Sequence, residues 1–155
     1  MAKSSVERVR DALLIAGHAD TIETFPDGTR SAEEAANAIG CTVAQIVKSL
    51  IFRANTIPVL VLTSGANQVD VTKVNRLIGT EIERADGRWV RDVTGFAIGG
   101  VAPIGHLAEV SVVIDKTLQE LSPLYAAAGS PKHVFRTDFA ALVEMTRGRV
   151  ADVQG

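Results

Sequence analysis

The chain has 155 residues, 46% of them hydrophobic and 22% charged, the size and make-up of a single soluble domain over residues 1–155 that can bury a core of its own. Its formal net charge of −2 excludes a global basic footprint for gripping nucleic acid by electrostatics alone. A single cysteine, Cys41, excludes an internal disulfide, and three scattered histidines offer no zinc-ligand spacing, so neither a metal nor another cofactor is expected.

Val6, Val9, Leu13 and Ala16 recur at helical spacing up to Gly17, predicting an opening amphipathic helix. The start of the chain, Met1-Ala2-Lys3-Ser4-Ser5, leads into this charged segment rather than into a signal peptide's apolar core. No apolar run approaches the roughly 20 residues of a membrane helix. A cytoplasmic location without membrane contact is the expectation. Ile22 to Phe25 reads as a short strand, followed by a Pro26-Asp27-Gly28 turn.

Ser31 with Glu34, then Thr42 with Gln45, form two capping-box patterns, predicting two short helices ahead of Lys48. Val47 to Phe52 and Ile57 to Thr63 are rich in β-branched and large apolar residues, with Asn55 and Pro58 at the connection. They read as a hairpin covered on both faces. Asp70 caps a helix through Ile78 that stops at Gly79. Glu81 to Arg84 reads as a strand, and Asp86 to Val93 as a short helix before Gly95. Gly99 to Gly105 is a loop by composition, Val110 to Asp115 and Val134 to Thr137 are strands, and Asp138 caps a last helix through Met145. This irregular interleaving, without a βαβ period, predicts a mixed α/β or α+β domain rather than a doubly wound nucleotide fold.

Few residues could carry chemistry. In the strand reading Lys48 shares a side with Leu50 and Phe52, and an ammonium among apolar neighbours needs a partner or a ligand. The alternative has Lys48 closing the Thr42 helix with its head group in water. In Gly99-Gly100-Val101-Ala102-Pro103-Ile104-Gly105-His106, three glycines let backbone N–H groups approach a ligand and a proline fixes the loop's shape. Such donors suit the negative charge that develops on an attacked ester. His106 is a candidate base or substrate-binding group without an identifiable nucleophile beside it, and His133 lies in a second glycine turn, after Gly129. Cys41 sits just before Thr42, where a helix N-terminus would lower a thiol's pKa. Against these stand ordinary roles: connecting loop, surface or core histidine, small buried thiol.

Three segments carry a resemblance: Thr29-Arg30-Ser31-Ala32-Glu33-Glu34-Ala35-Ala36, Ile46-Val47-Lys48-Ser49-Leu50-Ile51-Phe52, and Gly99-Gly100-Val101-Ala102-Pro103-Ile104-Gly105. In order and spacing they resemble the prolyl-tRNA synthetase-associated, YbaK-like editing domain family. The likeness extends through Val59 to Leu62, Val69-Asp70, Val113 to Asp115 and Arg149 to Val153. It implies a curved, barrel-like mixed sheet with flanking helices, and hydrolysis of the ester of mischarged tRNA with neither metal nor covalent nucleophile. By position, Lys48 matches the lysine that orients the aminoacyl-adenosine end, and Gly99 and Pro103 match the ends of a glycine-x-x-x-proline loop whose amides stabilise the oxyanion. Lys48 and Gly99 are thus the implied catalytic pair. Gly100, Val101, Ala102, Pro103, Gly105, His106, Gly129 and His133 are the implied substrate-binding set.

The implied partner is the acceptor end of a mischarged tRNA, tRNA for proline by analogy, with an aminoacyl-tRNA synthetase as a helper. The local basic groups Lys73, Arg76, Arg84, Arg88 and Arg91 are interspersed with acids. Two other readings stay open on the residues alone: a non-catalytic aminoacyl- or synthetase-binding module on the same fold, and a cysteine hydrolase pairing Cys41 with His106 or His133.

Overall fold

The computed structural model describes residues 4–29 and 31–155; Met1 to Lys3 of the N-terminal stretch and Arg30 of the first resemblance motif lie outside them. In chain order the elements are α1 (Ser5–Ile15), β1 (Glu23–Thr24), α2 (Ala32–Ile39), β2 (Ile46–Ala54), β3 (Ile57–Ser64), α3 (Val71–Ile78) and β4 (Glu83–Arg84). There follow α4 (Gly87–Thr94), β5 (Ser111–Asp115), β6 (Leu124–Ala127), β7 (His133–Thr137), α5 (Phe139–Thr146) and β8 (Arg149–Ala151).

Helix starts fall where a short oxygen-bearing side chain can accept an otherwise unpaired N–H. Ser4, Ser31, Asp70, Asp86 and Asp138 do so for α1 to α5. Gly40, Gly79 and Gly95 end α2, α3 and α4 in the left-handed conformation. The Thr42–Gln45 capping box forms, but it opens only a three-residue 3-10 turn, Val43–Gln45, instead of the expected second helix. The apolar run from Ile46 onward is drawn into the sheet at once, which places Lys48 inside β2 and decides between its two readings for the strand.

The sheet runs β1-β7-β6-β2-β3-β5-β8, with β4 also paired to β2. The β2/β6, β3/β5 and β5/β8 pairs are parallel and the others antiparallel. It is the mixed sheet with flanking helices that the resemblance implies, and its hydrogen-bonded path stays open between β1 and β8.

Strand alternation sends successive side chains to opposite faces. Val47, Leu60, Leu62 and Ile114 meet Val9 and Leu13 of α1, Val90 of α4 and Leu142 of α5 on one face. Phe52, Val59, Val61 and Val113 meet Val74 of α3 on the other. Two strands lack a sequence signal. β6 is Leu-Tyr-Ala-Ala and owes its extension to its place between β2 and β7, and β8 is a three-residue edge against β5.

Leu60 is fully buried at the centre of the larger core. Leu60→Ala is expected to lower unfolding stability by about 2–5 kcal/mol, read from the midpoint and slope of urea denaturation.

Candidate active site

β2 is registered with β3 along eight residues, Val47 to Ala54. Its other edge is shared by two short partners: β6 opposite Ile46 and Val47, and β4 opposite Phe52 and Arg53. Between them the chain opens onto a cleft of about 310 Å³, lined by Lys48, Ser49 and Leu50 of β2, by Ile98, Gly99 and Val101 of the glycine loop, and by Ala32, Ala35, Ala126 and Ala127. A second cavity of about 270 Å³ shares Ser49, Leu50, Ile98, Gly99 and Val101 and adds Ile51, Phe52, Arg84 and Val90. The structure therefore brings together Lys48 and Gly99, far apart in sequence, across one opening.

Lys48 is the only charged residue among the described residues lining the first cleft. Its Nζ donates to the Asn67 carbonyl at 2.5 Å, which leaves two of its three N–H groups for a ligand. Asn67 is fixed in turn: its amide donates to Thr117 Oγ1 at 3.0 Å and its side-chain oxygen accepts from Gln154 at 3.3 Å. Thr117 and Thr63 both donate to the fully buried Asp115 carboxylate. Burial pushes the Lys48 ammonium below its ordinary 10.5, because removal from water disfavours the charged form.

The loop between Phe96 and His106 is braced from outside. Arg8 of α1 donates to the Gly95 carbonyl at 2.8 Å and, more weakly, to that of Gly105 at 3.4 Å, and its guanidinium stacks 4.9 Å from the Phe96 ring centroid. His106 Nε2 donates to the Ala102 carbonyl at 2.7 Å, and its ring meets Phe96 edge-on. Gly99 has φ +94, which side-chain-bearing residues rarely adopt. Gly100 is glycine for another reason, since a Cβ there would lie 2.7–2.9 Å from the Ser130 backbone. The Gly100 N–H is taken by the Ala97 carbonyl at 2.9 Å. Among the described residues, no hydrogen bond claims the N–H of Gly99 or Val101.

The expected site residues thus divide. Lys48, Gly99 and Val101 line the cleft, whereas Gly100, Ala102, Gly105 and His106 take part in the loop's bracing contacts and the buried Pro103 does not line the cleft. Gly129 and His133 belong to the turn on which Gly100 rests. Gly129 has φ +95 and packs under the Ser5 carbonyl, and His133 Nδ1 pairs with Ser130 Oγ at 2.6 Å. Their neighbours Ala127 and Val134 line the cleft in their place. Burial raises the Cys41 thiol above its ordinary value, the opposite of what a thiolate nucleophile needs, and neither Cys41 nor a histidine lines the cleft. Sequence reasoning missed Ser49, Ile98 and the alanine walls. It also missed Arg8, whose helix pattern gave no sign of the loop it holds.

Among the described residues no three His, Cys, Asp or Glu side chains gather as a metal site, and no helix is long and apolar enough to cross a membrane. The fold and site define a mixed α/β domain with a ligand-sized cleft whose polar groups are one lysine, a few hydroxyls and loop backbone. The chain belongs to the aminoacyl-tRNA editing domain family, whose profile matches residues 26–145.

The proline–tRNA ligase of Thermoanaerobacter sp. (strain X514) is 32% identical over 102 residues, 64% of this chain and 18% of that one, so the chain spans less than a fifth of the ligase. YwhH of Bacillus subtilis (strain 168) is 28% identical over 127 residues, 81% of each chain. A solved structure described as a candidate trans-editing enzyme for prolyl-tRNA synthetase superposes with a TM-score of 0.93 at 38% identity, covering 100% of this chain and 99% of that one.

Two outcomes follow from the brace. Gly100→Ala, which must displace the Ser130 backbone, is expected to cost about 1–3 kcal/mol in urea denaturation. Burial of the imidazole holds the His106 pKa below its ordinary 6.5, so the folded state resists a proton that the unfolded chain accepts. This contribution to stability is complete above pH 6.5 and is lost as pH falls below it. An NMR titration should place the His106 pKa below 6.5, with lower urea stability at about pH 5.5 than at about pH 7.5.

Proposed function

We propose that this chain, acting as one domain, is a deacylase that hydrolyses the ester joining a small, wrongly attached amino acid to tRNA. The observation that carries the reading is the juxtaposition of Lys48, the sole charge lining the cleft among the described residues, with the amides of Gly99 and Val101, which no hydrogen bond among those residues claims. An ester seated between them has its adenosine end held by the lysine's remaining donors and its carbonyl oxygen near the loop. Backbone donors fixed in advance stabilise an oxyanion without reorganising as charge develops. Water attacks the carbonyl, a tetrahedral intermediate forms, and the ribose oxygen leaves with a proton. As the family resemblance implies, the neighbouring hydroxyl of the terminal ribose helps to activate that water.

The apolar part of the wall, where Ala32, Ala35, Ala126 and Ala127 stand with the larger Ile46 and Val134, suits a small, largely apolar side chain. Editing of this kind has a clear physical need, because a synthetase pocket discriminates one methylene by only about 1–3 kcal/mol. The relatives named as proline–tRNA ligases and the structure described as a trans-editing enzyme make tRNA for proline the favoured carrier. The net charge of −2 fits a grip confined to the acceptor end, aided by a synthetase. We place the activity in the cytoplasm, where charged tRNA is used.

The test is deacylation of a panel of mischarged tRNAs bearing alanine, serine, cysteine and threonine. At least one should be hydrolysed, with no change on adding chelator. Lys48→Ala should lower kcat/KM about a hundredfold, the scale of a misplaced reacting group, while Cys41→Ser leaves it unchanged. Binding of the panel without turnover by the wild type would replace the enzyme with a binding module.

A further inference from the structure

The unpaired edge of β2 carries an inference that deepens the deacylase reading and rests on it. The Gly65 N–H donates to the Ile46 carbonyl at 2.6 Å, which fixes the phase of the β2–β3 ladder. In an antiparallel pair, alternate residues direct both N–H and C=O toward the same partner. With the observed register, Lys48, Leu50 and Phe52 point their backbone groups at β3, and Val47, Ser49, Ile51 and Arg53 point theirs at the opposite edge. Val47 is covered there by β6 and Arg53 by β4. Among the described residues Ser49 and Ile51 face no strand; Ser49 lines both cavities and Ile51 the second.

This edge is too short for a protein strand. Four residues from Lys48 to Ile51 span about 13 Å, and β6 and β4 close the row at both ends. Nor is it an ordinary sheet margin, since the Ile98–Val101 loop stands across it. The side chain of Ser49 adds a second sign: its Oγ is the one buried side-chain oxygen without a hydrogen-bond partner among the described residues. Unpaired buried groups of this kind are rare in folded proteins and call for a partner.

We propose that this edge recognises the main chain of the aminoacyl group as if it were one added strand residue. The Ser49 carbonyl accepts from the α-ammonium, and an N–H of Ser49 or Ile51 donates to the ester carbonyl on the side opposite the Gly99 loop. The donors and acceptors belong to the backbone, so the site reads the α-amino acid framework common to all candidates. The amino acid side chain is left to the alanine walls. The required ligand is an α-amino ester with a free amino group.

The experiment is amide hydrogen exchange on the full chain, with and without 3′-deoxy-3′-alanylamino-adenosine, in which an amide replaces the labile ester. Exchange at Ser49 or Ile51 should slow about tenfold or more on binding, while Lys48 and Leu50, already in the β3 ladder, stay slow throughout. Kinetically, N-acetylalanyl-tRNA should be cleaved with kcat/KM at least about tenfold below that of alanyl-tRNA, the scale of one hydrogen bond from a charged donor. Three results would overturn the proposal: Gly99 and Val101 respond to the analogue while Ser49 and Ile51 exchange as before; the analogue does not bind at millimolar concentration; or both tRNAs are cleaved equally. Failure of the wild type to deacylate any mischarged tRNA sinks the deacylase reading instead, and the exchange result still judges the edge.

Discussion

The structure turns on the pairing of β2 with β3. A strand has two hydrogen-bonding edges, and β2 commits one of them fully, over eight residues, to β3. That ladder fixes which side chains enter which core: Val47, Leu60 and Leu62 go toward α1, α4 and α5, and Phe52, Val59 and Val61 toward α3. It also fixes Lys48 opposite Thr63, where apolar packing gives way to the polar group of Asn67, Thr117 and Asp115. A lysine one position earlier or later would point at the other face, since a one-residue slip exchanges the two sides of a strand. The second edge of β2, divided between β6 and β4, leaves the gap that becomes the cleft.

A gap in a sheet is useful to chemistry only if what faces it is held still. The loop opposite is rich in glycine and has little internal order of its own, so its position comes from contacts imported from elsewhere. Arg8 reaches the carbonyls on either side of it, His106 ties down its middle, and the Ser130 turn leaves room only for a glycine at position 100. These contacts act on carbonyls and on the loop's far side, and among the described residues they leave the amides of Gly99 and Val101 without a hydrogen-bond partner. Bracing of this kind holds backbone donors fixed, the condition under which such donors can stabilise developing charge without reorganising.

Much of this fold was legible in the sequence because its signals are local. Caps at Ser31, Asp70, Asp86 and Asp138 and stops at Gly40, Gly79 and Gly95 bound their helices where side-chain chemistry says they should. The hairpin announced itself by composition. β6 did not, because Tyr125, Ala126 and Ala127 become a strand through their neighbours. The Thr42 box misled because its local preference competes with the pull of the sheet on Ile46. At the site, resemblance picked out Lys48 and the glycine loop, but composition could not distinguish Gly99, at the cleft, from Gly105, held from behind by Arg8. His106, a candidate for chemistry by residue type, donates its ring N–H to a carbonyl of its own loop. Arg8 and Ser49 act through positions that only the assembled sheet defines.

A hydrolytic site that reads the backbone of an amino acid meets a problem of its own. The α-ammonium and ester are the same on a correct and an incorrect substrate, so main-chain recognition gives affinity and alignment without selectivity. In that reading selectivity comes from exclusion by the wall, where Ala32 and Ala35 of α2 and Ala126 and Ala127 of β6 stand beside the larger Ile46, Tyr125 and Val134, all carried on regular elements. Exclusion by packing is steep for a group that is too large, because overfilling a fixed space displaces backbone, and shallow for one that is too small. In the proposed deacylase such a cleft would turn away larger amino acids and admit smaller ones. That is the complement of a synthetase pocket, which rejects what is too large and admits what is too small. In the deacylase we propose, Lys48 and the loop amides act on parts common to every ester that enters, so the identity of the amino acid removed rests on the shape of the wall.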